Sequence, residues 1–330
     1  MTNHAGDGLP LQRGARGEAV RDLHQRLAAV GFDAGDDPAC FGERTRHAIH
    51  DFQQHRGLVA DGICGQDTWA ALVEAGYHLG DRLLYLRRPM LRGDDVAELQ
   101  HKLGSLGFDS GVIDGIFGPK TERALKDFQR NAGLTTDGVS GPDVLAGLAR
   151  LGSMADAPVS VAGIRERERL AQAPRELLDR RVVLGDLGGL DVAVSALART
   201  LQQAGAIVVT LDHPDRSIQA STANEFAADL YLGLSVSAEP HCYVAYYSTK
   251  GFESLGGRRL AELVAEDFPT SLAIERPRAQ GMRLGVLRET RMPAVVCQLT
   301  PVDAVVEHHP EIARALATSI ARWIAAPLAV

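Results

Sequence analysis

Apolar residues recur at helical spacing in the first half of the chain and in short continuous runs in the second. Val20, Leu23 and Leu27 lie three and four apart, the spacing of one helix face, and Gly31 follows as a stop. A glycine-rich stretch leads to Phe41. A second helical stretch carries Ala48 and Phe52 on one face and ends at Gly57, and an Asp61-Gly62 turn precedes a short third helix ending near Leu72. The pattern then repeats: Gly17 to Gly76 matches Gly93 to Gly152 without a gap, at an offset of 76 residues. Val96, Leu99, Leu103, Gly107-Phe108, Phe117-Gly118, Thr121, Ala124, Phe128-Gln129 and Asp137-Gly138 all fall where the first copy has the same residue. Two copies of a small three-helix unit are predicted, each with its own apolar core.

The second half has a different texture. Residues 153–160 are small and polar and read as a linker. Over 164–180, Arg and Glu lie three or four apart, which predicts an exposed helix. From Arg181 onward, short apolar runs predict strands at 182–184, 206–210, 230–235, 243–247 and 294–299. Helices are predicted between and after them at 191–203, 217–226, 255–266 and 310–324. That alternation implies an α/β domain with a mostly parallel sheet covered by helices on both faces. The expected organisation is multidomain: a tail over 1–10, two all-α three-helix modules over 11–77 and 88–152, a linker with the charged helix over 153–180, and the α/β domain over 181–330.

Composition narrows the function classes. The chain is 45% apolar and 23% charged, the balance of a soluble globular protein. Its net charge is -7 and its arginines are dispersed among acidic residues, which excludes a nucleic-acid phosphate face or an anionic membrane face. No apolar run approaches the roughly 18 residues of a membrane span. The first residues, Met1-Thr2-Asn3-His4, have no cationic start or apolar run, so a cytoplasmic protein is expected. The sequence ends at Val330, soon after the last predicted helix, so no C-terminal regulatory phosphosite is expected. Cys40, Cys64, Cys242 and Cys297 have no CxxC spacing and are expected to be free thiols, with Cys40 and Cys64 the pair to check.

The repeat resembles the type 1 peptidoglycan-binding module. The likeness rests on Leu91-Arg92-Gly93-Asp94-Asp95-Val96, Leu99-Gln100, Asp114-Gly115-Ile116-Phe117-Gly118, Phe128-Gln129 and Asp137-Gly138, and it covers nearly all of 11–152. It implies binding of cell-wall glycan or peptide, with muropeptide as the ligand. Asp114, Phe117 and Asp137 are the candidate contacts. The phenylalanine also reads as core, and the two aspartates equally as turn formers. The first copy has Pro38-Ala39 where the second has Asp114-Gly115, so the second is expected to suit a ligand better.

The α/β part resembles the zinc N-acetylmuramoyl-L-alanine amidase domain of catalytic type 3. The matching stretches are Val182-Val183-Leu184 with Gly188-Gly189, Ala227-Ala228-Asp229-Leu230-Tyr231-Leu232, and Gly285 to Thr290 with Met292-Pro293-Ala294-Val295. In that family two histidines and a glutamate hold zinc and a second glutamate is the general base. The resemblance places Leu187 and Ser235 at the histidines, Gly189 near the ligand glutamate, and Gln298 at the catalytic glutamate. No catalytic residue, metal ligand or cofactor is therefore expected, and Gln298 also reads as an ordinary buried hydrogen-bonding group. Asp212-His213, Glu239 with His241, and His308-His309 are the places where a site could have been rebuilt.

Taken together, these features resemble the actinobacterial CwlM group of cytoplasmic regulators. That resemblance implies a pseudoenzyme acting by contact with the UDP-N-acetylglucosamine enolpyruvyl transferase of peptidoglycan precursor synthesis. Two alternatives stay open at this point: an active zinc amidase, and a non-enzymatic wall-binding protein.

Overall fold

Residues 9–152, 161–236, 241–249, 251–269 and 274–328 are described in a computed structural model of the chain. Its first unit runs to Ala162 and its second begins at Gly163. Most of the tail and all of the predicted linker lie outside the described residues, as does Glu239.

In the first unit, α1 (Glu18–Ala29), α2 (Glu43–Arg56) and α3 (Gln66–Ala75) form one helical module, and α4 (Asp94–Ser105), α5 (Pro119–Asn131) and α6 (Pro142–Gly152) form its copy. Val20, Leu23, Leu27, Phe41, Phe52 and Leu72 build the first core, and Val96, Leu99, Leu103, Phe117, Phe128 and Leu148 the second. The repeat preserves ring geometry. Phe32 meets Phe52 edge to face at 5.5 Å, and Phe108 meets Phe128 the same way at 5.6 Å, the arrangement that aromatic quadrupoles favour. The modules are joined by a two-pronged ion pair in which Arg56 donates to both carboxylate oxygens of Asp94 at 2.7 Å. Asp94 opens α4, where a negative charge also suits the helix dipole.

The copies differ where each module begins. Short bridges pair Leu11 with Cys64 and Arg16 with Cys40. Their counterparts pair Leu84 with Ser140 and Arg92 with Ile116. The lead-in of the second module is therefore three residues longer, a difference that the repeat from Gly17 onward does not reveal.

The second unit opens with α7 (Val161–Gln172), shorter than the predicted exposed helix over 164–180 and not wholly exposed. Leu170 joins the α/β core. The Glu166 carboxylate accepts from the Ser254 hydroxyl at 2.7 Å and from the Leu255 and Gly256 amides. It thereby caps α10 (Leu255–Asp267) with a negative charge at the dipole's positive end. An Arg/Glu-rich helix hides this role, since nothing in its pattern marks one glutamate as buried.

The sheet has the order β2-β1-β3-β7-β4-β5, with β6 also on β4. The strands are β1 (Arg181–Asp186), β2 (Ile207–Asp212), β3 (Leu230–Val236), β4 (Tyr243–Thr249), β5 (Phe252–Glu253), β6 (Arg278–Met282) and β7 (Ala294–Leu299). Strands β2, β1, β3 and β7 run parallel, and β4 is antiparallel to β7. The helices α8 (Asp191–Gln203), α10 and α13 (His309–Ala325) pack together and supply one layer. Leu184, Leu232, Cys297, Leu197, Leu260 and Ile320 share the core cluster they enclose. The helices α9 (Arg216–Glu225) and α11 (Gly285–Glu289) pack on each other and supply the other layer. There Tyr231 donates to Gln219 at 2.9 Å. A Cβ at Gly185 would stand 2.2 Å from that hydroxyl, so β1 needs glycine at this point. A short helix, α12 (Val302–Glu307), links β7 to α13.

Candidate functional site

The ends of β1, β3 and β7 bring the positions singled out in the α/β domain together. Asp186, the last residue of β1, folds the chain back on itself: its Oδ1 accepts from the Gly188 and Leu190 amides at 2.9 and 3.0 Å. Gly189, inside that turn, has φ +78, and a Cβ there would meet nothing within 4 Å. The Leu187 amide donates to the Leu234 carbonyl, which ties the turn to β3. The Leu187 side chain lies over Gly233, whose missing Cβ would come within 2.7 Å of it.

Ser235 and Gln298 sit directly opposite each other in the β3–β7 register. Both are buried. Residues 233 and 235 face the same side of β3 because strand side chains alternate, so Leu187, Ser235 and Gln298 share one face. Gln298 is engaged at both ends of its amide: Oε1 accepts from the Tyr243 hydroxyl at 2.8 Å and Nε2 donates to the His241 carbonyl at 3.4 Å. Tyr243 is opposite Gln298 across β7 and β4. The cluster is therefore lined by leucine, serine, glutamine and tyrosine.

Such a set does not fit zinc. Structural and catalytic zinc sites use thiolate, imidazole or carboxylate donors. Leu187 and Gly189 have no side-chain donor, Ser235 offers only a neutral hydroxyl, and the Gln298 oxygen already accepts from Tyr243. Among the described residues, no three His, Cys, Asp or Glu side chains gather as a metal site would require. Of the rebuilt-site candidates, Asp212 ends β2, and His213 accepts the Asp215 amide on Nδ1 in the turn before α9. His308 and His309 stand at the α12–α13 junction, where Nδ1 of His309 bonds the Val306 carbonyl. All four cysteines are free, and burial pushes the Cys64 thiol up to about 12.

In the second helical module, Phe117 is completely buried in the core and has no surface to offer a ligand, which corrects its assignment as a contact. Asp114 and Asp137 are turn builders. Asp114 Oδ1 accepts from Gln100 Nε2 and the Ile116 amide, both at 2.8 Å. Asp137 Oδ1 accepts from Gln129 Nε2 at 2.7 Å and the Val139 amide at 2.9 Å. Those two bonds, the amide's first, hold the Asp137 carboxyl below its ordinary range.

Residues 16–72 and 92–148 each match the peptidoglycan binding domain family. The chain is similar to the N-acetylmuramoyl-L-alanine amidase CwlM of Mycobacterium tuberculosis at 33% identity, covering 88% of this chain and 81% of that protein. The chain belongs to the CwlM family. It is thereby related to the N-acetylmuramoyl-L-alanine amidases. A probable enzyme of that name from Bacillus licheniformis is 35% identical over 44% of this chain and 46% of its own length. Among solved structures, the amidase AmiC2 of Nostoc punctiforme is 17% identical, with a TM-score of 0.36, over 46% of this chain and 98% of that one. Within this CwlM-family chain, no helix among the described residues is long and apolar enough to cross a membrane.

Proposed function

We propose that this chain is a catalytically silent member of its family that works by binding, in the cytoplasm, to control peptidoglycan precursor synthesis. The observation that carries this reading is the strand-end cluster. Leu187, Gly189, Ser235 and Gln298 stand where the amidase resemblance puts two histidines, a glutamate and the catalytic glutamate. The leucine side chain lies on Gly233, and the tyrosine hydroxyl satisfies the glutamine. Loss of a general base alone slows such a reaction by about 10²–10⁴-fold. Without a bound metal there is no water activated near neutral pH. The names of the relatives are those of amidases, which is the reason to test hydrolysis directly.

The partner is proposed from the resemblance to the CwlM group: the UDP-N-acetylglucosamine enolpyruvyl transferase, met by protein contact. A domain that keeps its fold after losing its chemistry retains its surfaces for such a role. The helical modules supply the peptidoglycan-binding side, with muropeptide as ligand. The test is transferase turnover, followed by phosphate release, as the full chain is titrated in. A saturable change in rate is expected. An unchanged rate with no complex on gel filtration would refute the regulatory role.

A further inference from the structure

The lead-in to the second module is longer than that of the first and, apart from the buried Leu84, its side chains from Leu83 to Met90 are exposed. Leu83, Tyr85, Leu86 and Met90 are 54%, 41%, 36% and 42% exposed, in a segment of eight residues where a soluble surface would be expected to be polar. Arg87 and Arg88 lie among them and are also exposed. Elsewhere in this unit Arg26, Arg56, Arg82 and Arg130 each face a carboxylate. Among the described residues, neither Arg87 nor Arg88 has an ion-pair partner. The segment is held in place at both ends, by the Leu84–Ser140 and Arg92–Ile116 bridges. It lies over the starts of two helices: Leu83 packs toward Gly141, just before α6, and Met90 toward Gly118, the N-cap of α5.

The geometry points to this segment as a muropeptide-binding surface, with Tyr85 and its apolar neighbours against the sugar rings and Arg87 and Arg88 on the carboxylates of the stem peptide. Three observations lead there. First, Phe117 is enclosed in the core and Oδ1 of both Asp114 and Asp137 is taken up by a turn, so the lead-in offers aromatic and cationic contacts that these three do not. Second, the ligand's chemistry is complementary: N-acetylated sugars carry no charge and present apolar ring faces, whereas the attached peptide carries free carboxylates. An exposed aromatic ring beside two unpaired guanidiniums suits both parts, the guanidinium fork matching a carboxylate two bonds at a time. Third, the first module lacks the extra residues, so the site belongs to the second copy alone. The inference rests on the reading of the modules as peptidoglycan binders and assigns that binding to particular side chains.

The test is calorimetry on the full chain with a purified disaccharide–pentapeptide, and with the same ligand amidated at its stem carboxylates. R87Q/R88Q should bind the carboxylate form roughly tenfold more weakly, the loss of one good charge-assisted contact. Y85A should weaken both forms. The wild type should prefer the carboxylate form, and R87Q/R88Q should lose that preference. If the wild type binds and the variants bind equally well, this site is wrong while peptidoglycan binding stands. If the wild type binds neither the muropeptide nor whole sacculi, the wall-binding reading falls and this site with it. If the variants keep muropeptide affinity but lose the transferase, the surface is a protein-docking face and the assignment is overturned.

Discussion

The two helical modules are near-copies that solve the same folding problem with different chemistry. In both, the glutamine of α2 or α5 clamps the Asp-Gly turn that follows. Gln53 bonds Asp61, the Ile63 carbonyl and the Gly62 amide; Gln129 bonds Asp137, the Val139 carbonyl and the Gly138 amide. The second module uses the device again one loop earlier. Gln100 Nε2 reaches Asp114, the Ile116 carbonyl and Thr121, while its Oε1 accepts from the Asp114 and Gly115 amides. Gly115 takes φ +71 there, with the Gly93 carbonyl so near that a Cβ would come within 3.0 Å. The first module has His24, Pro38 and Ala39 at these places. Its loop hangs instead on Asp36, which accepts the Thr45 amide at 2.7 Å and hydroxyl at 2.8 Å, with His24 on that hydroxyl at 2.9 Å. A neutral glutamine at the clamp has given way to a histidine, and the carboxylate that holds the loop is Asp36 rather than a counterpart of Asp114. A scaffold that tolerates such an exchange needs the loop satisfied, not any particular residue satisfying it.

That contrast can be broken or sharpened. The largest effect is expected from Gln100→Ala, which strands a buried amide and carbonyl and should cost about 2–4 kcal/mol. Hydrogen exchange on the full chain should show lost protection over 110–118 and none over 36–46. His24→Ala removes one bond and should cost about 1 kcal/mol. Equal losses would mean that the two loops are not held differently. Next, Gln53→Ala and Gln129→Ala should cost nearly the same, about 2 kcal/mol each, because their clamp is shared. The extra bond from Gln53 to Thr68 tips the balance slightly toward the first.

The smallest effect is on pH. Burial lowers the His24 pKa against the pull of Asp36, Asp33 and Asp37. The unfolded chain therefore takes up that proton first, and stability is complete above about pH 6.5 and declines as pH falls below it. Burial raises the Asp36 pKa, but the Thr45 bonds outweigh it and leave it lowered, so its contribution is present above about pH 4 and is lost below. Protection over 36–46, corrected for intrinsic rates, should fall on acidification through both windows, whereas 110–118 should respond to neither His24 nor Asp36. A first module indifferent to pH between 7 and 5 would argue against the burial of the His24 ring.

The fold was legible where residue patterns repeat. Helical spacing marked the modules, and apolar runs marked β1, β3, β4 and β7 because strands buried on both faces need little else. Strand β6, Arg-Ala-Gln-Gly-Met, was not predicted: it is a largely exposed edge strand with no apolar signature, and only its pairing with β4 defines it. The extra residues before Arg92 were missed because the repeat was aligned from Gly17, after the difference. At the strand ends, two separate stretches of sequence pointed to Ser235 and Gln298, and β3–β7 pairing sets them face to face. Nothing in the sequence signalled that Tyr243 would satisfy Gln298, since that contact depends on an antiparallel strand 55 residues away in the chain. Asp114 and Asp137 show the limit of motif reading: an Asp-Gly pair looks the same whether its carboxylate serves a turn or a ligand.

The central claim is that the α/β domain is chemically silent, and release of free L-alanine amino termini from peptidoglycan tests it most directly. The full chain, supplied with excess zinc, should release none above a protein-free blank, and Gln298→Glu should release none either, because a carboxylate alone has no activated water to deprotonate. Release that depends on zinc and stops on chelation would contradict the account.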